Sequence, residues 1–449
     1  MKNVAKEEML PIPNDFSHKE RKERKTMMKR IMVALGCAAM MLVHAAQDDM
    51  TDFSVTTNVP ADVENAFCGF VAATNAVKRW AGPLEWPKLT PEQKAALADE
   101  NADALALFAN ACRRPKWYQA DTRQEGAFIL FPISGFSAMV KLKDARADQL
   151  IEQGEIGAAV ECFLDLLTLA RTIQTDSESA VCWLVADSAR SFACGIAVRI
   201  VASGKATDAE LRRLLAHLAE LDEATRRKGL RQMVNNEFRF CFENGMRIVE
   251  GDLRRRQTGT FSALYNNFIY DSASTKRIYM DWLVKAKEAF SDDYDKTKWE
   301  KISHEVEEAT KLPQGRLRRL FASNSMGRTL LATLVPAWNG IAIKVARGDF
   351  ELRAAQVIVA ANLYKRKNGD FADSLEAIVP EFLPSVPKDP FGHGAALRYD
   401  KSRGIVWTVG PDRKFNGEKI PGKDSYGRNS GYVVNIDGSP QGTQKAERK

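Results

Sequence analysis

The chain has 449 residues, 45% of them hydrophobic and 27% charged, a balance that excludes a disordered or collagenous protein. That length is more than one core usually serves, so two or three domains are expected. The formal charge is +7, but residues 1–45 carry nine basic and five acidic side chains, and the remaining 56 basic and 53 acidic residues leave only +3. The basic balance is therefore weak ground for a nucleic-acid-binding surface, and no nucleic-acid partner is expected.

Residues 28–45 read MKRIMVALGCAAMMLVHA. Lys29 and Arg30 form a positive n-region, residues 31–43 are an uncharged apolar run, and Val43-His44-Ala45 places small residues at −3 and −1 of a cleavage site. A spanning helix needs about 20 apolar residues, and here Gln47-Asp48-Asp49 follow too soon. Residues 1–45 are thus expected to be an N-terminal extension and signal peptide, which places the protein in the periplasm or outside the cell. The alternative is an uncleaved anchor over residues 31–46, the only expected membrane contact. Residues 1–26 make a long n-region or lie upstream of a start at Met27 or Met28. Cys37 after Ala34-Leu35-Gly36 is similar to a lipoprotein box, but Leu is misplaced and apolar sequence continues past the cysteine, against lipidation.

Six cysteines remain beyond Cys37: Cys68, Cys112, Cys162, Cys182, Cys194 and Cys241. An exported chain permits disulfides, but most of these lie in apolar helical pattern and read as buried thiols. There is no CxxC.

The pattern from 62 to about 244 is helical. Thr90-Pro91-Glu92-Gln93 is a capping box that opens a helix expected to reach about residue 111. Residues 126–132 form a short apolar run. Over 143–173 the apolar residues fall at helical spacing on both sides of Gln153-Gly154-Glu155, which predicts a helical hairpin. Tetratricopeptide units are built this way, but no repeat of about 34 residues is present. Further helices are predicted at 180–201, at 207–228 behind the Thr207/Glu210 capping box, and at 235–251. Residues 253–274 read as a linker. Helices follow at 276–290, 299–310, 317–335, 337–345 and 352–367, the last stopped by Asn368-Gly369. Strand-like runs come at 396–399, 404–409 and 431–436.

The expected fold class is mainly α: a helical hairpin or bundle body over 46–345, with repeat-like character, and a small α+β module over 346–437. The polar tail 438–449 is expected to be disordered.

Within the module, Asn368-Gly369-Asp370-Phe371 ends an alanine-rich helix. Leu383-Pro384-Ser385-Val386-Pro387-Lys388-Asp389-Pro390-Phe391-Gly392 follows, then Leu397-Arg398-Tyr399 and Trp407-Thr408-Val409-Gly410-Pro411-Asp412. Residues 356–412 resemble the helix-to-sheet region of the type II secretion major pseudopilin family. The resemblance implies a helix docked on a hairpin through a tight Asp-Pro-Phe-Gly turn. It also implies calcium as a candidate cofactor, with Asp412, Asn416 and Asp424 as oxygen ligands; the other reading is that they are turn formers. Two departures stand out: Asp412 precedes Arg413 rather than Gly, and Gly36 precedes Cys37, with Met at position 41 where a pilin carries Glu. The whole chain is also similar to exported bacterial proteins of no assigned role.

No GxSxG elbow, Walker loop or HExxH motif occurs, and His304 and Glu308 share a helix face without further ligands. No catalytic residue is assigned. The expectation is a non-catalytic envelope or secreted interaction protein with a protein partner. The alternatives are a hydrolase of cell-wall or extracellular polymer, using carboxylates in a cleft, and an accessory component of a secretion or pilus-like assembly.

Overall fold

Local start and stop signals position the first half of the fold. A computed structural model describes residues 60–118, 133–176, 179–219, 223–237, 270–314, 322–415 and 432–438. Helix α1 (Ala66–Asn75) is capped by Asn65, whose side chain accepts from Phe67 N and exchanges two hydrogen bonds with the Tyr118 backbone. Helix α2 (Pro91–Glu100) opens with the predicted box: Thr90 Oγ1 accepts from Gln93 N, and the Gln93 side chain accepts from Thr90 N. The single helix predicted from here is two. Buried Asn101 interrupts it, accepting from Lys78 N and donating to Arg79 O and Leu97 O, and α3 (Ala102–Cys112) starts from that tie.

The predicted hairpin is α4 (Ile133–Gln153) with α5 (Ile156–Thr175). Gly154, at φ +80, makes the turn, and Glu155 N donates to Leu150 O, which satisfies a helix-end carbonyl. The Lys205 ammonium donates to Ile151 O and Glu152 O at the same end. Helix α6 (Ala180–Ala202) is capped by Ser179. It is long and apolar enough to cross a membrane by composition, yet 61% of its apolar window is buried in the protein. Helix α7 (Asp208–Ala219) starts at the predicted Thr207/Glu210 box, and α8 is Glu223–Glu237.

The predicted 126–132 run and most of the 235–251 helix and 253–274 linker lie outside the described residues. The linker's end is helical: α9 (Ser272–Ala289) begins there, capped by Asp271, and Asp295 caps α10 (Lys296–Thr310). The sequence predicts three helices between 317 and 367. The structure instead has one, α11 (Ser325–Asn368), of 44 residues, about 66 Å long at 1.5 Å per residue. Pro336 lacks a donor to the helix, but α11 is held by α9 and α10 in its first half and by α6 and α7 in its second.

Two cores result. One joins α1–α7, the second half of α11 and the C-terminal elements, including Phe382, Leu397, Val406 and Ile436. The other gathers Trp183, Met233, Tyr279, Trp282, Phe290, Trp299, Trp338 and Phe391. The boundary predicted at 345/346 therefore falls inside α11.

Gly369, at φ +85, ends α11 after Asn368 as predicted, and its amide donates to Lys365 O. An antiparallel sheet follows in the order β1 (Arg398–Asp400), β2 (Ile405–Trp407), β3 (Val433–Asn435), with Val406 opposite Tyr399 and Val434. The turn at Asp389 forms, Gly392 N donating to Asp389 O at 2.9 Å. The buried Asp389 carboxylate also accepts from Phe391 N, Thr408 Oγ1 and Val409 N, which ties the turn to the end of β2. The protein is mainly α with a small C-terminal α+β piece, as predicted.

Two glycines of α11 test how tightly it is seated. A Cβ on Gly348 would overlap the Arg190 guanidinium and the Asp187 carboxylate, whereas one on Gly340 meets nothing within 4 Å. Gly348→Ala is expected to lower stability by about 2 kcal/mol through overpacking, and Gly340→Ala to raise it by about 0.5–1 kcal/mol. Urea denaturation of the two variants reads this directly; equal effects would refute the seating.

Candidate functional site

Helix α3 places Leu105, Phe108, Ala111 and Cys112 inward, all buried, while Ala102, Ala106 and Ala109 form a stripe of small side chains on another face. That stripe, with Ala98 on α2 and Leu150 and Ala158 on the hairpin, walls a cleft of about 410 Å³ between α2–α3 and α4–α5. This volume lies within the usual range of ligand pockets.

Polar groups lie among these apolar walls. Lys143 Nζ is 2.6 Å from Asp165 Oδ2, with side chains only 8% and 3% exposed. Arg113 Nε reaches Asp165 Oδ1 at 3.5 Å. Burial pulls the Lys143 ammonium pKa down, but Cys162 and Asp165 outweigh that and hold it above the ordinary lysine value. Burial pushes the Cys162 thiol up, and the fully buried Cys112 thiol well up, so both stay protonated at neutral pH and are poor nucleophiles. The five described cysteines, Cys68, Cys112, Cys162, Cys182 and Cys194, are free thiols; Cys241 lies outside the described residues.

At the mouth the charges are mostly paired. Arg146 donates to Asp99 at 2.9 Å and to Gln149 at 2.7 Å, and Gln149 donates to Asp99 at 3.0 Å. Glu161 accepts from Arg213 at 2.7 Å. The side chain of Glu155, exposed at the start of α5, has no partner among the described residues.

Of the calcium ligands implied by the pseudopilin resemblance, Asp412 alone is among the described residues. Asp412 follows β2, and its carboxylate accepts from Lys414 N at 3.1 Å, the geometry of a turn former. Asn416 and Asp424 lie outside the described residues. Among the described residues no cluster of three or more His, Cys, Asp or Glu side chains is placed to hold a metal. His304 is exposed on α10, and its neighbour Glu308 pairs with Lys311. His393 sits at φ +51 in the Asp389 turn, 3.8 Å from Asp295. Asp292 and Asp293 are tied to Lys298 and Arg227 respectively.

Sequence reasoning missed the cleft, although a signal was present. Lys143 shares a helical face with Met139, Ala147 and Leu150, and Asp165 lies beside Cys162, Leu166 and Leu169, all buried. A charge on each of two facing apolar stripes of a hairpin is the mark of a buried pair. Comparison with protein-family models, curated proteins and solved structures returns no match for this chain.

Removing one member of the pair strands the other. Lys143→Met is expected to cost about 3–5 kcal/mol, while Lys143→Met with Asp165→Leu recovers most of that loss; equal losses in single and double variants would refute the pairing. The sign with pH follows from the raised pKa. The ammonium's stabilisation is whole below the ordinary value of 10.5 and fades only as pH rises through the higher folded value. Denaturation midpoints above that range are therefore expected to fall for the native protein, and Lys143→Met to lack that component of the fall.

Proposed function

We propose that this protein is an exported, non-catalytic interaction protein of the cell envelope or extracellular space that holds a protein partner in the cleft between α2–α3 and α4–α5. The observation that carries the reading is the cleft itself: a wall of small side chains, with Ala102, Ala106 and Ala158 exposed, which lets a partner chain approach closely, rimmed by polar side chains that set its orientation. Its acids favour binding over hydrolysis. Asp99, Glu161 and Asp165 are each engaged by a cation, so the cleft presents no pair of unengaged carboxylates of the kind that polymer hydrolysis requires. Export rests on the charged, apolar and small-residue order of residues 28–45.

Two experiments test the two halves. A photo-crosslinking amino acid at Ala106, on the cleft wall, is expected to give a discrete protein adduct in cells, and the same probe at Lys301, exposed on α10, to give none. Adducts at both positions or at neither would remove the cleft from the proposal. Alkaline phosphatase fused after residue 60 is expected to be active, and inactive once residues 28–45 are deleted; activity without that segment would overturn export by it.

A further inference from the structure

The end of the cleft at the α4–α5 turn is acidic. Glu155 lines it, Glu152 is exposed on the last turn of α4, and neither carboxylate has a partner among the described residues. Glu210, at the start of α7, lies against the same place, since a Cβ on Gly157 would come 3.7 Å from its Oε1. Its carboxylate is held by Thr207, with no cation among the described residues. Lys205 stands beside them, and its ammonium is spent on Ile151 O and Glu152 O. Three carboxylates thus surround one ammonium. Deeper in the cleft the acids differ: Asp99, Glu161 and Asp165 are each paired with a lysine or an arginine.

The last described residue comes to this same end. Asn362 donates to Ile436 O at 2.7 Å. Gly438, at φ +77, then lies so near the last turn of α6 that a Cβ would be 2.6 Å from Val198 O and 3.1 Å from Ala202 N. Ala202 is three residues before Lys205, whose side chain touches the end of α4. Residues 439–445, if extended, span about 23 Å, which exceeds three residues and one lysine side chain. The segment 439–449 reads SPQGTQKAERK, with three basic residues against one acidic. Lys445, Arg448 and Lys449 therefore fall within reach of the acidic end.

We infer that the acidic end of the cleft receives residues 439–449 of this chain, with Lys445, Arg448 and Lys449 set against Glu152, Glu155 and Glu210. The inference rests on the cleft being a partner site, and it adds that the chain's own tail competes for the entrance. Exposed ion pairs are weak one at a time. A segment tethered at Gly438, however, faces the acids at an effective concentration on the order of millimolar, so that a few weak pairs suffice. A partner entering by this end meets the same carboxylates and displaces the tail.

Zero-length carbodiimide coupling on the purified full chain tests this, because it joins a carboxylate to an amine only where the two already meet. At low ionic strength, Lys445 or Lys449 is expected to couple within one chain to Glu152, Glu155 or Glu210. Peptide mapping should find these links at least about tenfold more often than links to Glu92 or Glu307, which are exposed elsewhere. Raising the salt to about 0.5 M is expected to remove the preference. Coupling spread evenly over surface acids, or found only between two chains, overturns the inference. In cells, Lys445→Glu with Arg448→Glu and Lys449→Glu is expected to raise the yield of the protein adduct at Ala106 at least about threefold; an unchanged yield overturns competition by the tail. If the coupling is absent while Ala106 still gives its adduct, this inference fails alone. If the coupling is present but the charge-reversed chain gives no adduct, the tail contact stands and the cleft fails as a partner site.

Discussion

Arg190 is a large charged side chain with only 1% of its surface exposed, placed where α6 crosses α11. One Nη pairs with Asp187, a turn earlier on α6, and the other lies 3.4 Å from Asp349 on α11. Its Nε has no hydrogen-bond partner among the described residues. Burying a guanidinium with two carboxylates costs several kcal/mol of desolvation per ion, and the mutual attraction offsets this only in a tight geometry. The crossing supplies that geometry because residue 348 is glycine, so the backbone of α11 can lie directly against the ion cluster. A slip of α11 by one residue would turn Asp349 away and put a side chain where Gly348 sits. The cluster thus sets the register between the two longest helices among the described residues.

The rest of the architecture hangs on that register. Helix α11 belongs to both cores, with Trp338, Ile341 and Val345 in the aromatic one and Val357, Ile358 and Leu363 in the aliphatic one. Helix α6 in turn places the hairpin. Arg199 near its end pairs with Asp144 and Asp148 of α4, and α5 packs along its length. Lys205, just beyond α6, holds the carbonyl end of α4. The hairpin then presents Lys143 and Asp165 to each other and to the cleft. A disturbance at the α6–α11 crossing therefore reaches the cleft through packed helices rather than through any direct contact.

What the sequence made legible was local. Thr90-Pro91 with Gln93, Gly154, Thr207 with Glu210, and Asn368-Gly369 each act within one turn of the backbone, and each formed where predicted. The Asp389 turn belongs with them. Features set by distant partners were not legible. Asn101 breaks a helix because the backbone at residues 78 and 79 comes to it, and nothing within one turn announces that. Pro336 misled in the opposite direction, since a proline that would end an isolated helix is carried through by packing on both sides. The predicted division at 345/346 followed from composition, but composition does not show that one helix is shared by two cores.

The two buried ion clusters differ in what the fold needs from them. The Arg190 cluster has a structural role that apolar side chains would not reproduce, because shape alone would not single out one register along an alanine-rich α11. The Lys143–Asp165 pair has no such duty: the α4–α5 turn is already fixed by Gly154 and Lys205, and both helices are packed on α6. Replacing a buried pair of this kind by well-packed apolar residues is often neutral or stabilising. Stability alone therefore does not single out a lysine at 143, on the floor of a cleft lined by alanines, leucines and mostly paired charges.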